Sequence, residues 1–408
     1  MKNVDFLILG GGIAGTTAAE EIRAKDPNSS ITIVTEEPNR LYSRVQLPHY
    51  LRDEHPLESV FVRTPESYTQ KNLSLVTSTR VASVDTSNKS VSVESGETYS
   101  YKKLLIATGG KVNKLATLGA DLPAVVYLRT LDDAQKIRRL IDESKEGLVV
   151  GGGFIGIDLT QTFIKHGLKT TAIIREKSFW EDVVGENSGK LLSQILQEHG
   201  VNITTEAEVT EFIGQGKLGK VRLNNGTELN ADIAGVGVGI HMELEHIKDS
   251  GLKINKGVVT NEYLEASVAD VWAAGDIAEF YDPALDKRHL LGNWANASSQ
   301  GRTVGLNMVG EKAVFETNSL YSINIFEGNF SFLGDPTVDQ NTEVIERGSI
   351  ADNKLARLLI RHDLIVGASL INMPIDRNYI NRLIKSRTKV TVSKEKLSDL
   401  SFDLSTIQ

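Results

Sequence analysis

The sequence predicts an α/β protein in which one βαβ unit occurs twice and a small α+β domain follows. Two observations carry this prediction. An apolar run that opens into three glycines occurs at residues 4–15 and again at residues 147–156. Each copy continues through short alternating strands, at residues 74–110 and 201–239, with turn signals at Ser95-Gly96 and Asn225-Gly226. We therefore expect two parallel sheets, each with its own antiparallel meander.

Composition narrows the class of protein. The 408 residues are 40% hydrophobic and 24% charged, which is typical of a globular chain of two or three domains. The net charge of −8 counts against nucleic acid as the main partner. No apolar run reaches the roughly 18–20 residues that span a bilayer. Residues 4–9 run directly into glycines, so we expect a buried strand rather than a signal peptide, and a cytoplasmic protein.

The chain contains no cysteine. This excludes disulfides, thiolate metal sites and iron–sulfur clusters bound by this chain, and we predict no metal site. It also excludes mechanisms with a cysteine nucleophile or a redox dithiol. Redox chemistry here would need a bound cofactor.

The first glycine motif, Gly10-x-Gly12-x-x-Gly15, ends a predicted strand and begins a predicted helix. The first glycine makes a tight turn, the second lets the backbone approach a pyrophosphate, and the third allows close helix–strand packing. The helix N-terminus then faces the phosphate charge. Glu36 follows the next strand, where a carboxylate accepts the ribose hydroxyls of a dinucleotide. We expect Glu37 to be its solvated neighbour.

The second motif has the same spacing from Gly151 to Gly156, and Arg175-Glu176-Lys177 follows its second strand. Glu176 favours a free 2′-hydroxyl, whereas Arg175 and Lys177 favour a 2′-phosphate. Alternatively, the basic residues are solvated charges at a strand end. The sequence therefore predicts two Rossmann-like dinucleotide-binding domains and leaves NADH and NADPH both open.

A third glycine-bearing segment, residues 269–276, reads as a buried strand that ends on Asp276, and residues 294–310 have helical spacing. Beyond residue 313 the pattern changes to short strands and a helix. We predict strands at 322–326, 357–361 and 364–371 and a helix at 377–385. This segment forms the small α+β domain.

The order of these motifs resembles the pyridine nucleotide–disulfide oxidoreductase superfamily of flavoproteins with two dinucleotide folds. Its cysteine-free branch of ferredoxin, rubredoxin and nitrite-reductase-type NAD(P)H reductases is the most similar. The residues that carry the resemblance are Gly10–Gly15, Glu36, Tyr42-Ser43-Arg44, Ala107-Thr108-Gly109, Gly151–Gly156 and Gly275-Asp276. The resemblance implies a discontinuous FAD domain with an inserted NAD(P)H domain. The implied segments are 1–112 (FAD, first part), 113–244 (NAD(P)H), 245–312 (FAD, second part) and 313–408 (α+β interface or dimerisation domain).

The resemblance also implies the cofactor-binding residues. Those of the FAD domain are Gly10, Gly12, Ala14, Gly15, Glu36, Glu37, Arg44, Val81, Ala107, Thr108, Gly109, Gly275, Asp276 and Trp294. Those of the NAD(P)H domain are Gly151, Gly153, Phe154, Ile155, Gly156, Arg175, Glu176 and Gly239.

Three of these residues have ordinary alternatives. Arg44 is similar to an arginine on the FAD diphosphate side, or it forms a surface ion pair. Asp276 would hydrogen-bond the FAD ribityl or phosphate region, or it caps a helix. Trp294 would lie against the flavin pyrimidine edge, or it fills a domain interface.

The sequence departs from this branch around the flavin. Similar reductases read Tyr-Ser-Arg-Pro-Pro-Leu-Ser-Lys, whereas this chain places His49 where the lysine falls. Asp158 stands where the family has a glutamate beside flavin and nicotinamide. We predict His49 and Asp158 as a catalytic pair that balances charge and relays a proton. Alternatively, His49 is a packing or solvent-facing residue, and the shorter pair fails to span the distance.

The resemblance implies an FAD-dependent NAD(P)H oxidoreductase that passes electrons to a small carrier such as rubredoxin or ferredoxin. The alternatives are an NAD(P)H oxidase or diaphorase acting on oxygen or small molecules, and a non-catalytic flavin-binding signalling protein. Residues 351–408 carry ten Lys/Arg against six Asp/Glu, a balance that would steer an acidic carrier, or that marks a solvated helix face. We expect a monomer or a homodimer.

Overall fold

The computed structural model describes residues 1–283, 286–316 and 320–407. Their contacts divide the chain into two units. The first comprises residues 1–50, 55–111 and 240–316, and the second comprises 51–54, 112–239 and 320–407. In the described part of the chain, no helix has both the length and the apolar character that crossing a bilayer requires. The cofactor domains assigned above to 1–112, 113–244, 245–312 and 313–408 remain predictions.

The elements follow in chain order. Up to residue 112 they are β1 (Lys2–Leu9), α1 (Ile13–Lys25), β2 (Ile31–Val34), a 3-10 turn (Arg44–Gln46), α2 (Leu47–Leu51), a 3-10 turn (Leu57–Val60), α3 (Pro65–Gln70), β3 (Ser74–Val76), β4 (Val81–Asp85), β5 (Ser90–Val93), β6 (Thr98–Ile106) and β7 (Lys111–Val112). From there to residue 239 they are β8 (Val125–Tyr127), α4 (Leu131–Asp142), β9 (Glu146–Val150), α5 (Phe154–Lys165), β10 (Lys169–Ile173), α6 (Glu181–Val184), α7 (Glu186–Glu198), β11 (Asn202–Thr204), β12 (Val209–Gly214), β13 (Leu218–Leu223), β14 (Glu228–Asn230) and β15 (Ile233–Val236). The chain then forms β16 (Ile240–His241), a 3-10 turn (Glu245–Ile247), β17 (Val258–Val259), β18 (Val271–Ala273), β19 (Ala278–Asp282), β20 (Lys287–His289) and α8 (Trp294–Met308). The C-terminal segment contains β21 (Leu320–Ile325), β22 (Gly328–Gly334), β23 (Glu343–Ser349), β24 (Lys354–Arg361), β25 (Leu364–Ile371), α9 (Pro374–Ser386), α10 (Lys394–Ser398) and a 3-10 turn (Leu404–Thr406).

The main sheet of the first unit places four parallel strands side by side. The order is β3-β2-β1-β6, and the last three residues of β6 pair in parallel with β18. The first half of β6 instead pairs antiparallel with β5, which pairs with β4. All four residues of β2 are buried, as expected of a strand covered on both faces. The carboxyl ends of β2, β1, β6 and β18 therefore meet at one edge.

Helices α1 and α8 of the first unit touch through glycine. A Cβ atom at Gly301 would lie 2.3 Å from the carbonyl oxygen of Ala14, and one at Gly305 would lie 2.6 Å from the Cβ of Glu21. Only glycine at these positions lets the two helices approach so closely. This contact fixes the helix that follows the first glycine turn.

The second unit repeats the plan of the first. Its parallel sheet has the order β11-β10-β9-β15-β8, with β12-β13-β14 as a separate meander. The units β1-α1-β2 and β9-α5-β10 are thus the two predicted copies. The predicted Asn225-Gly226 hairpin is present. Gly226, at φ +83°, donates its N–H to the carbonyl of Leu223 at 3.0 Å.

The C-terminal segment adds an antiparallel sheet of order β21-β22-β25-β24-β23 to the second unit. Phe330 and Leu355 on one face pack with α7, while Leu358 on the other packs with α9. The predicted strands and helix of this segment correspond to β21, β24, β25 and α9; the sequence reasoning missed β22, β23 and α10. Strand β21 ends earlier than predicted because Phe326 adopts φ +50°. Helix α9 begins earlier, with Pro374 in its first turn.

Candidate dinucleotide sites

The first glycine turn packs tightly against the protein backbone at its first and third glycines and is open at its second. Gly10 follows β1 at φ +114°, and a Cβ atom there would lie 2.1 Å from the carbonyl oxygen of Ala107. A Cβ at Gly15 would lie 2.1 Å from the carbonyl oxygen of Gly10. At Gly12, no atom of the described residues lies within 4 Å of that position. The three glycines therefore fit the three roles predicted for them, with space for a ligand against the second.

The predicted segments of the first unit meet at the same edge of its sheet. Ala107-Thr108-Gly109 follows β6, and Gly275-Asp276 follows β18. The N–H of Gly275 donates to the buried Oε1 of Gln300 at 2.6 Å. Ala14 is buried, and its Cβ would lie 3.2 Å from a Cβ at Gly275. Ligands of open α/β sheets bind in the crevice outside such carboxyl ends.

Glu36 follows β2 and stands in a network of charges. Its carboxylate is about half exposed and lies 3.4 Å from Lys111 Nζ and 4.0 Å from Arg80 Nε. Glu243 binds both cations, at 2.7 Å from Lys111 Nζ and 2.5 Å from Arg80 Nη2. Burial raises the pKa of Glu243, but Lys111 and Arg80 outweigh it, and the net shift is downward. Val81 begins β4 two residues after Thr79, whose N–H donates to the carbonyl of Thr35, next to Glu36, at 2.9 Å.

Glu37 is not the solvated neighbour that the sequence suggested, so that expectation is wrong. Its side chain is 21% exposed, it pairs with Arg44, and it accepts a hydrogen bond from the Tyr42 hydroxyl. Burial lowers the pKa of Arg44, but the charges of Glu37, Tyr42 and Asp276 raise it by more, so the net shift of the pKa is upward. Among the described residues, the buried Nε of Arg44 has no hydrogen-bond partner. This donor fits the diphosphate of a dinucleotide.

Trp294 and His49 also belong to the first unit. Asn293 caps α8 by accepting the N–H of Asn296 at 2.8 Å, which makes the half-buried Trp294 the first helical residue. A Cβ at Gly292 would lie 3.4 Å from the Asp276 carboxylate, so the start of α8 adjoins Asp276. His49 lies in α2, and its ring centroid is 5.7 Å from that of His55.

The second glycine turn has the backbone geometry of the first. Gly151 adopts φ +100°, and a Cβ there would lie 2.5 Å from the carbonyl oxygen of Gly237. A Cβ at Gly156 would lie 1.9 Å from the carbonyl oxygen of Gly151. At Gly153 the nearest atom would be the Gly237 oxygen, at 3.6 Å, so this side is open. Gly239, at φ +90°, follows β15 at the same edge. The turn therefore fits a second pyrophosphate.

The residues beyond β10 are open to solvent. Arg175, Glu176 and Lys177 are all exposed, and the carbonyl of Glu176 accepts the N–H of Glu206 at 3.2 Å. They lie at the strand end where this fold binds the adenosine ribose. Their geometry leaves the choice between a 2′-hydroxyl and a 2′-phosphate open.

Aromatic side chains surround the start of α5. Phe154 and Ile155 are each 37% exposed. The Phe154 ring centroid lies 4.8 Å from that of Trp180, 5.3 Å from Tyr321 and 5.4 Å from Phe332. Burial raises the pKa of Tyr321 to about 12. The sequence reasoning missed this aromatic cluster, because two of its members come from the C-terminal segment.

Asp158, on α5, forms an ion pair with Arg52. The distance from Arg52 Nη1 to Asp158 Oδ1 is 3.1 Å, and the two side chains are only 9% and 15% exposed. Arg52 Nε also lies 2.8 Å from Glu54 Oε1. The sequence reasoning missed Arg52 because 106 residues separate it from Asp158. The sequence feature that could have pointed to Arg52 is its place three residues after the predicted site residue His49. The catalytic pairing of His49 with Asp158 stays a prediction.

Comparisons with known proteins agree with this architecture. The family model described as pyridine nucleotide-disulphide oxidoreductase matches residues 4–301. The chain is 28% identical to the benzene 1,2-dioxygenase system ferredoxin–NAD(+) reductase subunit of Pseudomonas putida, over 97% of this chain and 95% of that one. It is 30% identical to a rubredoxin–NAD(+) reductase of the same organism, over 75% of this chain and 80% of that one. A solved covalent putidaredoxin reductase–putidaredoxin complex is similar with a TM-score of 0.92 and 27% identity, over 100% of this chain and 98% of that one.

These similarities confirm the predicted fold class and the prediction of an NAD-dependent oxidoreductase. The use of NADPH, a cytoplasmic location and a dimer stay predictions, as do the roles of individual site residues. Because the family model matches well over half of its length, the chain belongs to the pyridine nucleotide-disulphide oxidoreductase family.

Proposed function

We propose that this protein is an FAD-dependent NADH oxidoreductase that delivers electrons to a small redox carrier protein. One observation carries the proposal: each unit has a glycine turn of the same geometry, open at its second glycine. When bound, NADH supplies a hydride, and FAD accepts it and passes its electrons on. The protein contributes binding, orientation and charge.

In the first unit, the chain would hold FAD at the carboxyl edge of its sheet. The open backbone at Gly12 and the N-terminus of α1 would face the diphosphate. Arg44 would donate its buried Nε to the same group, while Glu36 accepts ribose hydroxyls. Asp276, next to the start of α8, would bind the ribityl or phosphate region. Support comes from the meeting of these residues at one edge and from the unsatisfied donor of Arg44.

In the second unit, the turn from Gly151 to Gly156 would hold the pyrophosphate of NADH. Glu176 would accept the two ribose hydroxyls, and NADH rather than NADPH is supported by the names of the ferredoxin and rubredoxin relatives. Arg175 and Lys177 are the residues that would admit NADPH. The exposure of all three side chains leaves them accessible to a nucleotide that exchanges.

The acceptor would be a small carrier of the ferredoxin or rubredoxin type. Two relatives are named as reductases of ferredoxin and rubredoxin, and a similar solved structure is the covalent complex of putidaredoxin reductase with putidaredoxin. The basic excess of residues 351–408 adds weaker support. Lys385, Arg387 and Lys389 are exposed at the end of α9, whereas Arg361 and Arg382 bind groups within the second unit. Exposed cations raise the association rate of an acidic partner.

Anaerobic titration tests the proposal. The purified protein should show flavin absorption, should bleach on addition of NADH and should bleach more slowly with NADPH. Adding oxidised rubredoxin or ferredoxin should then restore the flavin spectrum much faster than air does. Absence of flavin from fresh and reconstituted protein would overturn the function, and faster reoxidation by air would favour the oxidase alternative. Cell fractionation and sedimentation would test the cytoplasmic location and the monomer or dimer.

A further inference from the structure

A short piece of chain, residues 51–54, belongs to the second unit although its flanks belong to the first. It is fixed at three points. His166 Nε2 lies 2.7 Å from the carbonyl oxygen of Leu51, Arg52 pairs with Asp158, and Asp53 lies 3.2 Å from Arg138. Of the two ion pairs, Arg52–Asp158 is the more buried, with side chains 9% and 15% exposed, against 27% and 57% for Arg138–Asp53. Residues 51–54 therefore place one guanidinium against the helix of the second glycine turn.

The contacts of this segment indicate which flank of α5 Asp158 occupies. In the strand order β11-β10-β9-β15-β8, helix α5 connects β9 to its neighbour β10. Helix α4 instead connects β8, the edge strand beyond β15, to β9. Arg138 belongs to α4, so the segment that carries Arg52 lies on the α4 flank of α5. The Asp158 carboxylate therefore faces away from β10 and Glu176. Since Glu176 marks the adenosine end of a bound dinucleotide, Asp158 lies toward the nicotinamide end.

Asp158 is also close to the mouth of the turn. It lies four residues after Phe154, the first residue of α5, and residues four apart stack on one face of a helix. The nicotinamide end is where the two redox forms of the nucleotide differ, because the ring of NAD+ carries a positive charge and that of NADH does not. A carboxylate alone at this end would favour NAD+.

We propose that Arg52 sets the preference of the second site between NAD+ and NADH, by offsetting the charge of Asp158. This inference rests on the proposed function, in which the second unit binds NADH. Arg52 also contacts Glu54, but that carboxylate is 42% exposed and more strongly screened by water. At 3.1 Å the guanidinium offsets part of the field of the less exposed Asp158 carboxylate at the ring, and low exposure limits screening by salt. Arg52 thereby keeps the oxidised product from binding too tightly, so the site turns over. It is a specificity-determining residue that acts through Asp158.

Calorimetric binding to the FAD-loaded protein tests this, with NAD+ and ADP-ribose as probes. ADP-ribose lacks only the nicotinamide ring, so the ratio of the two affinities isolates the ring. In Arg52→Gln, NAD+ should bind about tenfold more tightly while ADP-ribose binding changes less than about twofold. Arg52→Lys should keep the wild-type ratio. Asp158→Asn, which leaves the Arg52 cation unbalanced, should weaken NAD+ relative to ADP-ribose. Arg52→Gln/Asp158→Asn, which removes both charges, should return the ratio close to the wild-type value.

The control is Asp53→Asn, which removes the carboxylate charge that faces Arg138 and keeps Arg52. Asparagine tolerates the φ of +59° at this position, and the affinity ratio should not change. An unchanged ratio in Arg52→Gln, or a similar change in Asp53→Asn, would overturn the inference. If Arg52→Gln does not fold, an unchanged ratio in Asp158→Asn overturns it equally. Failure of wild-type protein to bind ADP-ribose at all would instead refute the nucleotide site of the proposed function.

Discussion

The two glycine turns have nearly the same backbone and very different surroundings. Gly10 and Gly151 adopt φ +114° and +100°, and the third glycine of each motif abuts the carbonyl of the first. Around the first turn, carboxylates are already paired: Glu37 with Arg44, and Glu36 with Lys111. Around the second, Arg175, Glu176 and Lys177 are exposed, as are Phe154 and Ile155 on the helix that follows.

This difference fits the proposal that one motif serves two kinds of ligand. Pre-arranged, paired side chains lose little conformational entropy on binding, which favours a ligand that stays. Exposed side chains must be ordered by each incoming ligand, which favours exchange. The first site therefore suits a resident flavin and the second an exchanging nicotinamide. Substitutions that act on one turn and spare the other test the contrast.

The largest effect is expected from alanine at the first glycine of each motif. In Gly10→Ala, the new Cβ would meet the Ala107 carbonyl at 2.1 Å, a backbone atom that cannot move aside. We expect purified Gly10→Ala to be colourless or insoluble. Gly151→Ala, with a contact of 2.5 Å, should keep its flavin but bleach with NADH at least about 100-fold more slowly. Flavin absorbance per polypeptide and stopped-flow reduction measure the two outcomes.

Gly226→Ala is the matched control for this pair. Gly226 also has a positive φ, +83°, but no atom of the described residues lies within 4 Å of a Cβ there. It should lose only the roughly 1 kcal/mol that a left-handed conformation costs a non-glycine residue and should keep both properties. A yellow Gly10→Ala, or a colourless Gly151→Ala, would contradict the assignment of resident and exchanging ligands.

Asp276→Ala should give the next largest effect. Asp276 adjoins Gly292 at the start of α8, and its charge contributes to raising the pKa of Arg44. We expect flavin affinity to fall about 100-fold, corresponding to about 2.7 kcal/mol, so that the protein purifies largely colourless. Asp5→Ala is the control, since Asp5 lies in the amino-terminal half of β1, away from the carboxyl edge where Asp276 follows β18. Full flavin retention by Asp276→Ala would remove Asp276 from the site.

The glycine turns could be predicted from the sequence because their requirement is local. Gly10 and Gly151 need a positive φ within a few residues of a strand end, so spacing alone identifies them. The repeated meander was predictable for the same reason, since its turn signals lie beside its strands. The C-terminal strands β22 and β23 were missed although turn residues flank them, because Gly328 and Gly334 at the ends of β22 and Gly348 within β23 weaken the alternating strand pattern.

The charged and aromatic partners could not be predicted, because they depend on how distant segments meet. Arg52 contacts Asp158 across 106 residues, and nothing near Arg52 in the sequence marks the transfer of residues 51–54 to the second unit. Glu37 was misjudged because its partner Arg44 binds it only after the chain turns back through Tyr42.

A smaller, pH-dependent effect on the stability of the fold is expected at the charged network beside Glu36 in the first unit. Glu243 forms ion pairs with Lys111 and Arg80 beside Glu36. The pKa of Glu243 in the folded protein lies below its usual value of 4.5. A depressed pKa contributes stability that is complete above pH 4.5 and is lost as the pH falls through the folded pKa. Glu243→Gln should therefore cost less than about 1 kcal/mol at pH 7, since the side chain is 33% exposed, and nothing at low pH. Thermal unfolding of both proteins from pH 7 to pH 3 measures this, and a constant difference across that range would contradict it.

The smallest effect is expected at the exposed end of the second site. Glu176 and Arg175 have solvent around them, so each contributes little to a bound nucleotide, and salt screens what they contribute. Glu176→Gln should weaken NADH binding about fivefold, because a neutral amide accepts ribose hydrogen bonds less strongly than a carboxylate. Arg175→Gln should leave NADH unchanged and reduce only the slower bleaching by NADPH, because its charge matters for a 2′-phosphate alone. Flavin content should stay at the wild-type level in both variants, as neither residue belongs to the first unit. A loss of flavin in either one, or an Arg175→Gln effect as large on NADH as on NADPH, would show that the second turn is not the separate, exchanging site that its exposure indicates.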